Sequence, residues 1–228
     1  MKGIHSTRKI YLVRHCRPVI SSSKKMCIGK KDIALSDAGK EHAKYIKYFF
    51  EDADFDGIYT SPLIRAMETG KIIAGKKYEI KTMDNFSEID MGKWDGLSFE
   101  EIKKRYPLEY EERGKSFETY KVEGGESMSM CRERAMAGLY KILNQTQGDI
   151  LVVTHAGVIR GIMSYISRIS MNDIFKYKIQ YGSISSINIR NGLLIPEEIG
   201  LSILDSESKI PAYVYASKEY EKILMSRN

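Results

Sequence analysis

Short apolar segments of the chain alternate with stretches in which apolar residues recur every three or four positions. Apolar runs at residues 9–13, 55–59 and 149–154 predict three buried strands. Residues 183–189 alternate between apolar and polar side chains, which predicts a fourth strand. Asn191-Gly192 then predicts a hairpin turn into a short partner strand at residues 193–195.

The helical stretches carry recognisable start and stop residues. Pro62 suits the first position of the second helix, and Gly75 is expected to end it. A capping box, Ser-Phe-Glu-Glu, opens the third helix, which Pro107 would end or kink. A fourth helix is predicted over residues 127–144 and a fifth from about residue 157, and the pattern at 216–224 allows a terminal helix. The predicted N-caps are Ser36, Ser61, Ser98 and Ser127.

Strands that are separated by helices of this length predict a mostly parallel sheet with helices on both faces. The expected fold class is therefore α/β, a three-layer αβα sandwich. The 228 residues fit a single domain, with a core at about residues 9–195 and a C-terminal extension at 196–228.

Composition excludes several classes of protein. Hydrophobic residues make up 43% of the chain and charged residues 29%, which is typical of a globular protein and not of a disordered one. Three widely spaced cysteines argue against a disulfide framework and favour the cytoplasm. We find neither a signal peptide nor an apolar run that could span a bilayer, so no membrane association is expected.

The chain is basic, with a formal net charge of +6. Such a charge suits nucleic acid or small anions. The lysines and arginines are scattered among acidic residues, and no nucleic-acid-binding motif is present, so we expect no nucleic-acid partner. An affinity for small anions such as phosphate esters is the other interpretation of this charge, and the chain is expected to be a monomer or a homodimer.

Two histidines follow the two most apolar predicted strands directly. His15 comes after the first strand, together with Arg14, and His155 comes after the strand at 149–154. Ligands of open α/β sheets bind at the carboxyl ends of strands, so both imidazoles are expected at one edge of the sheet. Arg65 is predicted in the first turn of a helix, where free backbone N–H groups and a guanidinium favour an anion. His42, by contrast, is predicted on a helix surface.

These residues belong to five motifs that resemble those of the histidine phosphatase superfamily, the group of cofactor-dependent phosphoglycerate mutases and related phosphatases. The resemblance covers residues 10 to about 190 and implies a phosphoglycerate mutase-like fold. The motifs, in chain order, are Arg14-His15, Ser61-Pro-Leu-Ile-Arg65, Glu88-Ile-Asp-Met-Gly-Lys-Trp-Asp-Gly96, Gly124-Gly-Glu-Ser127 and Thr154-His-Ala-Gly157.

The resemblance implies a role for each of these residues. His15 would be the nucleophile that forms a phosphohistidine, and Glu88 would protonate the leaving group and later activate water. Positive and polar side chains would surround the phosphoryl oxygens, so neither a metal nor another cofactor is expected. The implied catalytic residues are His15, Glu88, Arg14, Arg65 and His155, and the implied substrate-binding residues are Arg14, Ser21, Gly29, Arg65 and His155.

The run after the nucleophile departs from the family pattern. Cys16 stands where the family usually has glycine, and Arg17-Pro18 follow it. Ser21 falls near the position of the family's phosphate-contacting asparagine. The Cys16 thiol is expected either to have a lowered pKa, beside the cationic site, or to be buried and inert.

The residues around the site favour a phosphatase over a mutase. Arg17-Pro18 and residues 27–36 are similar to those of an α-ribazole phosphatase-like branch, which removes a 5′-phosphate from a nucleotide. The mutases have a longer insertion after the acidic loop (residues 88–96), and this insertion is missing here, since the chain goes straight from Gly96 to the capping box at Ser98. Phosphoglycerate mutase-type transfer and a non-catalytic relative that binds phosphorylated ligands remain alternatives. Specificity for the substrate, a small phosphorylated metabolite, is expected to come from residues 17–34 and 98–126. The candidates for contact are listed here, although each one taken singly is more often a solvated side chain: Lys24, Lys25, Lys30, Lys31, Arg105, Tyr106, Tyr110, Arg113 and Tyr120.

Overall fold

The computed structural model describes residues 8–20, 22–171 and 173–204, in which helices and strands alternate. The strands are β1 (Arg8–Arg14), β2 (Phe55–Thr60), β3 (Ile80–Thr82), β4 (Asp149–Thr154), β5 (Ile184–Arg190) and β6 (Leu193–Leu201). The helices are α1 (Asp37–Phe49), α2 (Ile64–Ala74), α3 (Phe99–Arg105), α4 (Pro107–Lys115), α5 (Met128–Leu143) and α6 (Ala156–Ser167). Short 3-10 helices lie at Asp84–Phe86, Gly92–Trp94 and Ile174–Lys176.

The six strands form one mixed sheet in the order β3-β2-β4-β1-β5-β6. Strands β3, β2, β4 and β1 run parallel, whereas β5 and β6 pair in antiparallel fashion at one side. The four parallel strands need crossover helices, which the chain supplies between them. The predicted, mostly parallel α/β sheet is confirmed.

A separate hydrophobic core covers each face of the sheet. Along β4, Ile150 and Val152 point into the larger core, which includes α5 and α6, while Leu151 and Val153 point into the other, which includes α1 and α2. Successive strand residues face opposite sides, so a fully apolar strand is buried on both. The arrangement confirms the predicted three-layer αβα sandwich.

Most predicted helix boundaries match the structure. Ser36 and Ser127 cap α1 and α5 through their hydroxyls, Ser98 and Glu101 form the capping box of α3, and Gly75 ends α2 with a positive φ. Helix α3 ends just before Pro107, in line with the prediction. Pro107 is also the first residue of α4, a helix that the sequence analysis did not predict. The short edge strand β3 was not predicted either.

The predicted start of α2 is wrong. The helix begins at Ile64 after Leu63, and no side chain caps it. The Ser61 hydroxyl accepts a hydrogen bond from the Leu63 N–H and pairs with the imidazole of His155. Ser61 therefore belongs to a tertiary contact rather than to the helix.

The C-terminal part of the sheet is longer than expected. Strand β6 continues to Leu201, so the predicted core boundary at residue 195 falls inside a strand. The residues beyond 195 thus supply much of the outermost strand of the sheet. The predicted helix at 216–224 lies outside the described residues. Within those residues, no helix has both the length and the apolar character that crossing a membrane requires.

We expect Ser36 to stabilise both α1 and the loop before it. Its hydroxyl accepts from the Gly39 N–H (3.1 Å) and donates to the Arg17 carbonyl (3.0 Å). Ser36→Ala should lower the free energy of unfolding by about 1 kcal/mol, measured by urea denaturation. Ser36→Thr keeps the hydroxyl and should lose much less. An equal loss in both variants would contradict the capping role.

Candidate active site

His15 and His155 meet at the carboxyl ends of two neighbouring parallel strands. Arg14, the last residue of β1, is paired in register with Thr154, the last residue of β4. The backbone N–H of His15 donates to the Thr154 carbonyl (2.8 Å), and the imidazole centroids of His15 and His155 lie 5.0 Å apart. Both histidines are buried. The structure therefore brings together the two residues that the strand pattern singles out.

The hydrogen bonds of His15 define its tautomer. Its Nδ1 lies 2.8 Å from the carbonyl oxygen of Cys16, so Nδ1 carries the proton. Nε2 then has a free lone pair, toward which the Nε of Arg65 donates at 3.3 Å. Burial, together with the charges of Arg14 and Arg65, holds the pKa of His15 well below its usual range. His15 is thus a neutral imidazole with a basic Nε2.

Arg65 comes from the first turn of α2 and is only 1% exposed. Its Nη1 and Nη2 donate to the carbonyls of Lys31 and Gly29, each at 2.8 Å. Among the described residues no carboxylate forms an ion pair with it, and burial lowers its pKa. The loop before α1 therefore fixes the direction of the guanidinium without neutralising it.

Gly29 contacts the protein through both of its backbone polar groups. Its carbonyl binds Arg65, and its N–H donates to Asp95 Oδ1 (2.8 Å). A β-carbon at this position would lie 2.5 Å from the carbonyl oxygen of Ile89, so only glycine fits without displacement. The geometry gives Gly29 a part in positioning Arg65. Ser21, the other loop residue predicted to bind substrate, lies outside the described residues.

Arg14 lies against an aromatic ring. Its guanidinium carbon is 3.9 Å from the ring centroid of Tyr181, and its Nη1 donates to the Ile179 carbonyl (2.8 Å). Its Nε is buried and has no hydrogen-bond partner in the described part of the chain. Burial is the main cause that lowers the pKa of Arg14. A second uncompensated guanidinium therefore lies beside His15.

Glu88 is buried, and its carboxylate is held by backbone amides. Oε1 accepts from the N–H groups of Ile89 (3.0 Å) and Gly157 (3.1 Å), the latter in the first turn of α6. A β-carbon at Gly157 would collide with Oε1. The glycine that follows His155 and Ala156 thus makes room for the acid, which explains its place in the motif.

Ser61 is a polar site residue that the sequence reasoning assigned to a helix cap instead. It directly follows β2, and its hydroxyl lies 2.8 Å from Nε2 of His155. The backbone N–H of Ser61 donates to Val153 on β4 (3.0 Å). The rule that selected the two histidines, a polar residue directly after a buried parallel strand, also selects Ser61.

Cys16 is accommodated as a buried residue of the smaller core. Its N–H donates to Thr69 Oγ1 (3.0 Å), and its φ is not positive, so the usual glycine is not needed here. Burial raises the pKa of the Cys16 thiol to about 12. Of the two expectations for Cys16, the structure favours the inert thiol over the activated one.

Four of the five residues expected to be catalytic, Arg14, His15, Arg65 and Glu88, line one cavity of about 480 Å³. The fifth, His155, is fully buried and does not line it. Lys24 and Lys25 also line it. A neighbouring cavity of about 340 Å³ shares Glu88 and has mostly apolar walls. In the described ranges, no group of three or more histidine, cysteine, aspartate or glutamate side chains is placed to hold a metal ion.

Several side chains predicted to contact the substrate have other contacts. Tyr106, Tyr110 and Tyr120 pack around the buried ring of Trp94. Lys30 forms an ion pair with Asp90, and Arg105 forms one with Glu101. The backbone carbonyl of Lys31 accepts a hydrogen bond from Arg65. Lys25 and Arg113 line the apolar cavity. The predicted specificity set therefore divides into core, surface and cavity residues.

The prediction that His42 lies on a helix surface is wrong. Its ring packs against Gly182, and its Nε2 is buried with no hydrogen-bond partner among the residues described. Burial lowers the pKa of His42 to about 4. Local sequence patterns do not indicate this contact, because Gly182 lies far away along the chain in the loop before β5.

A model of the histidine phosphatase superfamily (branch 1) matches residues 10–199, which include all of these residues. The chain belongs to this superfamily. The match confirms the family expected from the motifs and, with it, the enzyme class, a phosphatase of the histidine phosphatase type.

Similar proteins carry different names within the superfamily. The chain is 33% identical over 161 residues to uncharacterized phosphatase PhoE of Bacillus subtilis, covering 69% of this chain and 77% of that protein. It is 29% identical over 167 residues to fructose-2,6-bisphosphatase of Saccharomyces cerevisiae, covering 72% of this chain and 35% of the relative, so it spans about a third of that protein.

Among solved structures, the α-ribazole phosphatase of Shigella flexneri superposes with a TM-score of 0.76 at 17% identity. The superposition covers 85% of this chain and 96% of that one. This likeness shows the shared fold.

We expect all three cysteines to resist alkylation in the folded protein. Cys16, Cys27 and Cys131 are buried, and each has its pKa raised to about 12, chiefly by burial. At pH 8 only about one thiol in ten thousand would then be ionised. Mass spectrometry after iodoacetamide treatment should find no label on the native chain and three labels in guanidinium. Rapid native labelling of Cys16 would contradict the inert assignment.

Proposed function

We propose that this protein is a phosphomonoesterase that acts through a phosphohistidine on His15. One observation carries the proposal: a neutral imidazole with a free Nε2 lies beside two guanidinium groups that have no carboxylate partner in the described structure. Such a set attracts a phosphoryl group and offers it a nucleophile.

The first step is attack by Nε2 of His15 on phosphorus, in line with the ester oxygen. The N–P bond forms as the bond between phosphorus and the ester oxygen breaks. The hydrogen bond from Nδ1 to the Cys16 carbonyl stabilises the positive charge that the ring acquires. Arg65, which already donates toward Nε2, would exchange this contact for a phosphoryl oxygen as the ester binds.

Charge in the transition state spreads over the phosphoryl oxygens. Arg14 and Arg65 supply positive charge to them from a buried position, where electrostatic interactions are stronger than in water. His155 adds a polar group held by Ser61. Because the protein fixes these groups beforehand, little reorganisation is needed during the reaction.

Glu88 would handle the proton in both steps. It gives a proton to the ester oxygen as that oxygen leaves, and it then takes a proton from the water that attacks the phosphohistidine. That second attack releases inorganic phosphate and restores neutral His15. The amides of Ile89 and Gly157 keep the carboxylate on the wall of the reactive cavity.

A small phosphate ester fits the cavity of about 480 Å³, and α-ribazole 5′-phosphate is one candidate within this class. Its support is the similarity of Arg17-Pro18 and residues 27–36 to that branch, together with the shared fold. The chain runs directly from the acidic loop (residues 88–96) into α3, which supports hydrolysis over mutase-type transfer. A purely binding relative would need the arginines but not His15 and Glu88.

We expect the wild-type protein to release phosphate from p-nitrophenyl phosphate in the presence of EDTA, and His15→Ala to lose this activity. The substitution removes the nucleophile, so kcat should fall by about a thousandfold or more. Parallel assays with 3-phosphoglycerate and α-ribazole 5′-phosphate would rank the substrates by kcat/KM.

The control for His15→Ala is its urea unfolding transition, which should stay close to that of the wild type. Equal activity in both proteins would show that His15 is not the nucleophile. Binding of phosphate without turnover of any ester would favour the non-catalytic alternative.

We expect Glu88→Gln to affect esters according to their leaving groups. Nitrophenolate leaves without a proton, whereas an alkoxide needs one. The value of kcat/KM reports the steps up to phosphorylation of His15 and not the later hydrolysis, so in the variant it should fall by about a hundredfold or more for butyl phosphate and far less for p-nitrophenyl phosphate. Glu109→Gln, on the surface and paired with Lys93, is the matched control and should change neither rate. An equal loss on both esters would remove Glu88 from the role of general acid.

A further inference from the structure

A cavity of about 580 Å³, different from the apolar one described above and called here the second cavity, lies beside the cavity of His15 and shares part of its wall. Arg14, Arg17 and Tyr181 line both cavities. The second cavity is also lined by Arg160 from α6, by Lys178 from the loop before β5 and by His42 from α1. The stacked pair of Arg14 and Tyr181 therefore separates two adjoining spaces.

The second cavity is cationic and lacks counter-charges. It is lined by Arg14, Arg17, Arg160 and Lys178, and no aspartate or glutamate lines it within the described part of the chain. None of these four side chains forms an ion pair there. Four unpaired cations around one space repel one another unless an anion joins them.

Three of the residues that line this cavity have a buried side-chain nitrogen with no partner among the described residues: Nε of Arg14, Nε of Arg160 and Nε2 of His42. Buried polar atoms are nearly always hydrogen-bonded, so three such atoms around one cavity need an explanation. Arg160 is also half-buried over the ring of Phe175, which limits its freedom to turn toward water. A ligand with several acceptor oxygens would satisfy both the charges and the donors.

We propose that this cavity is a second anion-binding site, which takes a phosphate or carboxylate group on the side of the Arg14–Tyr181 pair away from the cavity of His15. The inference rests on the proposed function, because the shared wall would let one substrate place its reactive phosphoryl group beside His15 and a second anionic group here. Alternatively, the site binds a separate anion, such as inorganic phosphate, which offers the same acceptor oxygens and negative charge. In both cases Arg17, Arg160 and Lys178 provide the specific contacts.

Matched esters test whether the second group belongs to the substrate. Butyl phosphate and 1,4-butanediol bisphosphate have the same leaving group and differ in the second phosphate. The wild type should prefer the bisphosphate, and Lys178→Glu should lower the ratio of the two kcat/KM values by about tenfold. Lys178 is exposed, so its replacement should not disturb folding. Lys176→Glu, two residues earlier and equally exposed, is the charge-matched control and should leave the ratio unchanged.

Inorganic phosphate tests the free-anion source. Calorimetry should count two phosphate sites in the wild type and one in Lys178→Glu. If the second anion is separate from the substrate, added phosphate will change kcat at saturating butyl phosphate in the wild type but not in Lys178→Glu. If phosphate only competes while the bisphosphate is preferred, the anion belongs to the substrate.

The inference is overturned if Lys178→Glu and Lys176→Glu show the same ester ratio and the wild type binds a single phosphate. Failure of the proposed function looks different, since the wild type would then hydrolyse none of these esters. The number of phosphate sites would still decide whether the second site exists.

Discussion

The parallel pairing of β1 with β4 is the constraint on which the rest of the site depends. Arg14 opposite Thr154 places His15 and His155 side by side at one edge of the sheet. Side chains alternate between the two faces of a strand, so a shift of one residue would turn every apolar side chain of β1 toward the wrong core. The two hydrophobic cores therefore fix the register, and the register fixes the distance between the two imidazoles.

That edge of the sheet holds a set of groups that are unfavourable without an anion. His15 is kept neutral and Arg65 is buried without a counter-charge in the described structure, although transferring a guanidinium out of water opposes folding. The apolar strands, buried on both faces, offset this cost. Under the proposed function, an arriving phosphoryl group supplies the missing negative charge. Among the described residues no carboxylate forms an ion pair with Arg14 or Arg65, so the phosphoryl group has none to displace.

Sequence reasoning succeeded where local pattern and tertiary structure agree. Apolar strands that end in histidine located His15 and His155, and serine caps located α1, α3 and α5. It failed where a distant partner decides. Ser61 has the local features of a helix cap, but its hydroxyl contacts His155, 94 positions away. His42 looks like a surface residue along α1, but its ring packs against the loop that contains Gly182. The local spacing of apolar and polar residues indicates neither of these two contacts.

The loop between β1 and α1 links substrate recognition to the chemistry. The sequence assigns this loop to specificity, yet its Gly29 and Lys31 carbonyls are what orient Arg65 toward His15. A change in the backbone at Gly29 would therefore alter the rate as well as the choice of substrate. Val19 and Ile33 line a separate small groove of this loop. Their carbonyls do not accept the hydrogen bonds of the Arg65 guanidinium, which go to Gly29 and Lys31. Under the proposed function, substrate preference can thus vary at the outer positions of the loop while its inner carbonyls keep Arg65 in place.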